Sequence, residues 1–167
     1  MVVTYSRLRT STAMKQSKLI SQLDEYCGRT LLFMPSESYY WSPSNQTVFY
    51  QKDDSSEIGS WTMLHEACHG LLDHQTYESD FELVKLEVEA WERAEKLAAD
   101  FGINLDQEHV QDCLDSYRDW QYKRSLCPRC DLGGVQIDQK TYSCLFCSDK
   151  WHVSESRFCR PYRSKSK

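Results

Sequence analysis

The sequence predicts an α+β protein: a mainly helical body with a small antiparallel sheet, followed by a small cysteine-rich unit. Three observations lead there. The first is size: 167 residues, 40% hydrophobic and 27% charged, supply enough apolar material for one domain plus a small appendage. The second is periodicity, because long stretches with apolar residues at helical spacing surround a few short β-prone runs. The third is the uneven spread of charge and cysteine. Residues 1–124 carry 12 Lys/Arg and 21 Asp/Glu, a net −9, whereas residues 125–167 carry 8 and 4, a net +4. Four of the eight cysteines form two Cys-x-x-Cys pairs inside the basic part. The expected organisation is a body over 1–124, a cysteine-rich unit over 125–157 and a basic tail over 158–167.

Composition excludes a disordered chain and a membrane protein. No run approaches the roughly 20 apolar residues that span a bilayer. The N-terminal stretch has no continuous apolar core of the kind a signal peptide needs. Paired Cys-x-x-Cys units without an export signal read as metal ligands rather than a disulfide framework, which places the chain in a reducing, cytoplasmic compartment.

Residues 12–27 read as a first helix, with Leu19, Ile20, Leu23, Tyr26 and Cys27 at helical spacing and Gly28 closing it. Thr30–Met34 is a short apolar run that Pro35 should end, which suits a strand. Tyr39–Trp41 and Thr47–Tyr50 flank the turn signal Ser42-Pro43-Ser44-Asn45, and the three runs together form the expected antiparallel sheet. A loop through Asp53-Asp54-Ser55-Ser56 leads into a helix near Glu57 or Ile58. A long helix follows from about Asp80 to Phe101, ended by Gly102. Asn104 or Asp106 caps another helix through about Lys123, with Val110, Leu114 and Tyr117 on one face.

The helix that starts near Glu57 carries His65-Glu66-Ala67-Cys68-His69 within an apolar stretch containing Ile58, Trp61, Met63, Leu64, Leu71 and Leu72. Histidines at i and i+4 share one helix face and can aim nitrogens at one ion. Zinc takes such ligands and keeps one position open when it is catalytic. Glu66, one residue past the first histidine, can take a proton from a zinc-bound water and pass it to a leaving group. Two histidines and a glutamate on a core helix need a reason of this kind.

The third protein ligand must lie downstream, among His74, Glu78, Asp80, Glu82, Glu87, Glu89, Glu92 and Glu95. In the following helix Leu83, Leu86, Ala90, Ala94, Leu97, Ala98 and Phe101 form one apolar face. Glu87 falls near the middle of that face, where a carboxylate is costly unless it is paired or metal-bound. Glu87 is therefore the expected third ligand, with Glu89 the next candidate. Tyr39, Tyr40, His74 and Tyr77 are candidates to stabilise an oxyanion.

The residues His65-Glu66-Ala67-Cys68-His69 followed by Glu87-Val88-Glu89-Ala90-Trp91-Glu92-Arg93-Ala94 resemble the ImmA/IrrE-type metallopeptidases. These are zincins whose third ligand is a glutamate. The resemblance covers about residues 10–105, with Ala67-Cys68 and Arg93 standing where that family usually has Leu-Gly and an aromatic. It implies a zincin-like domain that hydrolyses peptide bonds, often in a regulatory protein. A second resemblance is to SprT-like proteases, which join H-E-x-x-H to a C-terminal zinc ribbon and use a histidine as third ligand. The later histidines here are His74, His109 and His152.

Cys127-Pro-Arg-Cys130 and Cys144-Leu-Phe-Cys147 are separated by an interval with Gly133-Gly134 for a turn and alternating Val135 and Ile137, then Thr141 and Ser143 around Tyr142. Two knuckles joined by a hairpin give a closed, tetrahedral, four-cysteine zinc site. The pattern resembles a zinc ribbon, and a unit this small needs such a metal to fold. The tail adds Arg157, Arg160, Arg163, Lys165 and Lys167 among Phe158 and Tyr162, a composition that suits contact with nucleic acid. The combined expectation is a zinc hydrolase acting on a protein or peptide, with two Zn2+ per chain, one catalytic and one structural. The alternative is a non-enzymatic zinc-ribbon module that contacts a protein or nucleic acid. No membrane partner is expected.

Overall fold

The computed structural model describes residues 16–154, and of residues 163–165 the backbone. The start of the expected first helix and most of the expected basic tail lie outside these residues. The fold is α+β, with four α-helices and two small sheets among the described residues. The chain divides into two compact units, one within Met1–Asp73 and Arg93–Leu105, the other within His74–Glu92 and Asp106–Lys167.

In the first unit α1 (Gln16–Tyr26) buries Leu19 and Leu23, the apolar pair of its inner face. Three strands follow: β1 (Leu32–Ser36), β2 (Tyr40–Ser42) and β3 (Thr47–Gln51). Their order is β1-β3-β2. The sheet is mixed rather than antiparallel, because β1 pairs with β3 in parallel and only β2 runs antiparallel to it. The cause is burial. Thr47 and Val48 are 1% and 0% exposed, so β3 takes the centre, and the chain crosses beyond it before turning back at Pro43–Asn45. Pro35 does not end β1, which continues to Ser36. A proline is tolerated there because β1 is an edge strand and its missing N–H faces away from the ladder.

Helix α2 (Glu57–Leu71) contacts both β2 and β3. Ser56 caps it by accepting a hydrogen bond from Gly59 N at 2.9 Å. Trp61, Met63, Leu64, Ala67 and Cys68 are buried, whereas Ile58 and Leu72, expected in the core, sit at the helix ends and are exposed. Gly70 permits the close approach of helix to sheet: a Cβ there would stand 2.8 Å from Leu31 Cδ1 and 2.9 Å from Trp41 Cζ3.

Helix α3 (Asp80–Asp100) is continuous, its first part counted with the second unit and its last turns with the first. In the second unit Leu83, Tyr117 and Trp120 pack together, linking α3 to α4 (Gln107–Ser125). Asp106, not Asn104, caps α4 by accepting from Glu108 N. Beyond α4 lies a sheet in the order β4-β5-β6-β7, with β4 (Val135–Asp138), β5 (Thr141–Ser143), β6 (Lys150–Val153) and β7 (Arg163–Lys165). The β4–β5 hairpin turns at Gln139-Lys140, where Asp138 Oδ1 accepts from Lys140 N at 2.9 Å. Gly133-Gly134 is not that turn. It leads from the first cysteine pair into β4, and a Cβ on Gly134 would collide with the Trp151 ring. Strand β6 is not among the expected strands, although Lys150-Trp151-His152-Val153 alternates polar and apolar residues and buries Trp151 and Val153; β7, Arg163-Ser164-Lys165, has no apolar residue to mark it. Among the described residues, no helix is long and apolar enough to cross a membrane.

Candidate metal centres

Helix α2 is buried on most sides, and His65 and His69 lie within that burial at 5% and 9% exposure. Their four-residue spacing puts both rings on one face, with interplanar angle 89° and Nε2 atoms 3.1 Å apart. Glu87 on α3 is 5% exposed. One ligand atom each from His65, His69 and Glu87 lie within 4.8 Å of one another. With zinc–nitrogen bonds of about 2.0–2.1 Å, tetrahedral geometry sets neighbouring ligand atoms roughly 3.3 Å apart. The histidine pair fits that spacing, and two neutral nitrogens with one carboxylate are a donor set zinc accepts.

The other carboxylates considered as third ligand have different partners or lie outside this group. Glu89 stands 3.5 Å from His74 Nε2 and 3.5 Å from Lys85 Nζ. Asp80 is ion-paired with Arg124 at 2.6 Å. Glu82 accepts from Glu78 N at 2.7 Å, just before α3. Glu78 and Glu92 are exposed, and neither they nor Glu95 join the group. The same holds for the possible oxyanion donors. Tyr39 donates to Asp54 at 3.0 Å, Tyr40 stacks on Phe49 at 4.5 Å, and Tyr77 is 38% exposed.

Glu66 is half-buried and points its carboxylate at the sheet, where Oε2 accepts from Trp41 N at 2.8 Å. This contact joins residues 25 apart in sequence and carries no sequence signal. Between the histidines, burial pushes the Cys68 thiol up to about 12, so it stays neutral as core filling.

The second centre comprises Cys127, Cys130, Cys144 and Cys147, whose sulfur atoms all lie within 4.8 Å of one another. Three sulfur pairs are 3.6, 3.6 and 3.7 Å apart. A disulfide needs about 2.05 Å. A tetrahedral zinc site with bonds of about 2.3 Å needs edges of roughly 3.8 Å, which these distances approach. The two knuckles repeat one geometry. Cys127 Sγ accepts from Arg129 N and Cys144 Sγ from Phe146 N, each at 3.4 Å. The residues after the second cysteines, Asp131 and Ser148, both take left-handed backbone, with φ of 56° and 58°. Backbone N–H groups of Cys147 and Phe146 draw the Cys144 thiol down to about 7, whereas burial and the neighbouring sulfurs push the Cys130 and Cys147 thiols up.

Behind these cysteines the core contains Tyr142, Trp151 and Val153. Trp151 is fully buried and donates its indole N–H to Arg124 O at 2.9 Å. Tyr142 donates to Asp80 Oδ2 at 2.6 Å. Arg124 and Asp80 form an ion pair with both side chains 2% exposed, and the guanidinium lies 4.3 Å from the centre of the Trp120 ring. Neither Arg124 nor Tyr142 stands out in the sequence as a buried polar partner. The available signal was Asp80, a carboxylate at the start of a helix whose partner had to come from elsewhere.

Two groups among the described residues therefore have donors suited to a metal, His65/His69/Glu87 and the four cysteines. Comparison with known proteins gives no match: no family model, no curated protein and no solved structure aligns significantly with the chain.

Proposed function

We propose that the chain is a zinc-dependent metallopeptidase of the zincin type, with a second, structural zinc in a C-terminal ribbon. The observation that carries this reading is the convergence of three buried ligand atoms from His65, His69 and Glu87 beside a glutamate at the second position of His-Glu-x-x-His. A zinc ion at those three residues would acidify water and polarise a substrate carbonyl. Glu66 handles the proton. Its carboxylate takes a proton from the attacking water as the new oxygen–carbon bond forms. It returns that proton to the amide nitrogen as the carbon–nitrogen bond breaks. The bond from Trp41 N to Oε2 fixes the carboxylate, and Oε1 is then the oxygen for the transfer. The substrate is a protein or peptide.

Glu66→Gln keeps the size and hydrogen-bonding capacity of the side chain but removes the base. This variant is expected to hold the same two zinc ions per chain by elemental analysis. Its cleavage of a proteome-derived peptide pool should fall by at least about 100-fold. Full activity in Glu66→Gln overturns the mechanism. A second reading, a ribbon that docks a protein or nucleic acid without catalysis, draws on Leu145 and Phe146 at the second knuckle, each 76% exposed. One zinc per chain, held by the cysteines, favours it.

A further inference from the structure

We propose that Asp80 is a positioning residue for the third ligand, held by the ribbon, so that metal loading at the four cysteines strengthens metal binding at His65, His69 and Glu87. This rests on the metal-site reading above. Asp80 begins α3, and Glu87 follows it by two turns, about 10 Å along the helix axis. Every polar group of Asp80 that could fix the helix start is engaged from beyond α3. Its backbone N–H donates to Gln136 Oε1 of β4 at 2.9 Å. Oδ2 accepts from Arg124 Nε at 2.6 Å and from Tyr142 Oη at 2.6 Å, and Oδ1 accepts from Arg124 Nη2 at 3.2 Å.

The partners are in turn fixed by the ribbon. Arg124 is bonded to Ser154 O through Nη1 and to Trp151 through its own carbonyl. Tyr142 and Trp151 stack at 5.6 Å in one core with Cys127 and Cys144. Two of that core's members are thus metal ligands. A ribbon of this size has no fold to offer Asp80 without its metal. The cluster is also costly if half-formed, because a buried carboxylate and guanidinium that lose their phenol and carbonyl partners are left with unmatched desolvation. The start of α3 is therefore ordered when the ribbon is ordered and loosened when it is not. A helix segment held at its first residue presents Glu87 in one place, which lowers the entropy lost on metal binding. The positive coupling is reciprocal by thermodynamic linkage.

The test uses the full chain with zinc in the ribbon and cobalt(II) titrated as the probe of the other site. Cobalt on nitrogen and oxygen ligands gives weak visible bands, whereas cobalt on cysteine gives intense thiolate charge-transfer bands, so the two sites are told apart. Asp80→Asn is expected to weaken cobalt binding at His65, His69 and Glu87 by roughly 10-fold while the ribbon keeps its zinc, since residues that orient ligands without touching metal act at this level. Tyr142→Phe removes one hydroxyl and should weaken it on the order of threefold, which covers the case that Asp80→Asn does not fold. In a Glu87→Ala background neither substitution should change cobalt affinity, a result that general destabilisation would not give. Unchanged affinity in both variants, or the same loss in the Glu87→Ala background, overturns the proposal and leaves the metal site standing. A wild-type chain that takes no cobalt at His65, His69 and Glu87 overturns both.

Discussion

At the scale of single residues, burial sets the chemistry of groups that have nothing to do with metal. Cys27 closes α1 at 6% exposure, and burial, followed by the charge of Asp24, raises its thiol from 9.0 to about 11. A raised folded-state value means that the folded chain holds the proton longer than the unfolded one. The resulting stability is full below pH 9.0 and is lost as pH rises towards about 11. Thermal unfolding across that window should fall more steeply for the wild type than for Cys27→Ala. Parallel curves would show that Cys27 does not titrate with folding. Glu87 and the four ribbon cysteines were legible in the sequence because their signals are local: a carboxylate within a helical stripe, and a fixed two-residue spacing. The Glu66–Trp41 and Asp80–Arg124–Tyr142 contacts were not legible. They join residues 25, 44 and 62 positions apart, and nothing local marks either partner.

At the scale of elements, the helices could be read and the sheet order could not. The ends of α2, α3 and α4 follow from chemistry within a few residues, such as the Ser56 and Asp106 caps and the glycine after α3. Strand pairing has no such address. The runs that became β1, β2 and β3 were recognised by composition, yet their order depends on which strand is most buried. The consequence for α2 can be measured. Its N-cap bond from Gly59 N to Ser56 Oγ is 2.9 Å, and Asp54 Oδ1 in turn accepts from Ser56 N at 2.9 Å. Ser56→Ala removes the cap at the start of the helix that carries both histidines, and should cost about 1 kcal/mol. A chain of this length would register that as a drop in Tm of roughly 2–4 °C. An unchanged Tm would show that water replaces the hydroxyl without loss.

At the scale of the whole molecule, the two units differ in what holds them together. The first has its own apolar core, with Leu19, Leu23, Val48, Met63, Leu64 and Leu97 each at 1% exposure or less. Such a core persists without metal because its stability comes from area removed from water. In the cysteine-rich core, Cys127 and Cys144 are both core members and candidate metal ligands, beside Tyr142, Trp151 and Val153. Structural zinc in small peptides contributes on the order of 10–16 kcal/mol at neutral pH, more than so few side chains can replace. Stripping metal with a strong chelator should therefore act unevenly when followed by amide hydrogen exchange. Protection should be lost first across Cys127 to Val153. The last turn of α4 and the first turn of α3 should follow, since Trp151 is bonded to Arg124 and Tyr142 to Asp80. Residues in α1, in α2 and from Arg93 to Asp100 should keep protection at chelator levels that open the ribbon. Simultaneous loss in all segments would mean that one cooperative unit spans the chain, and that the basic, cysteine-rich part has no separate stability to lose.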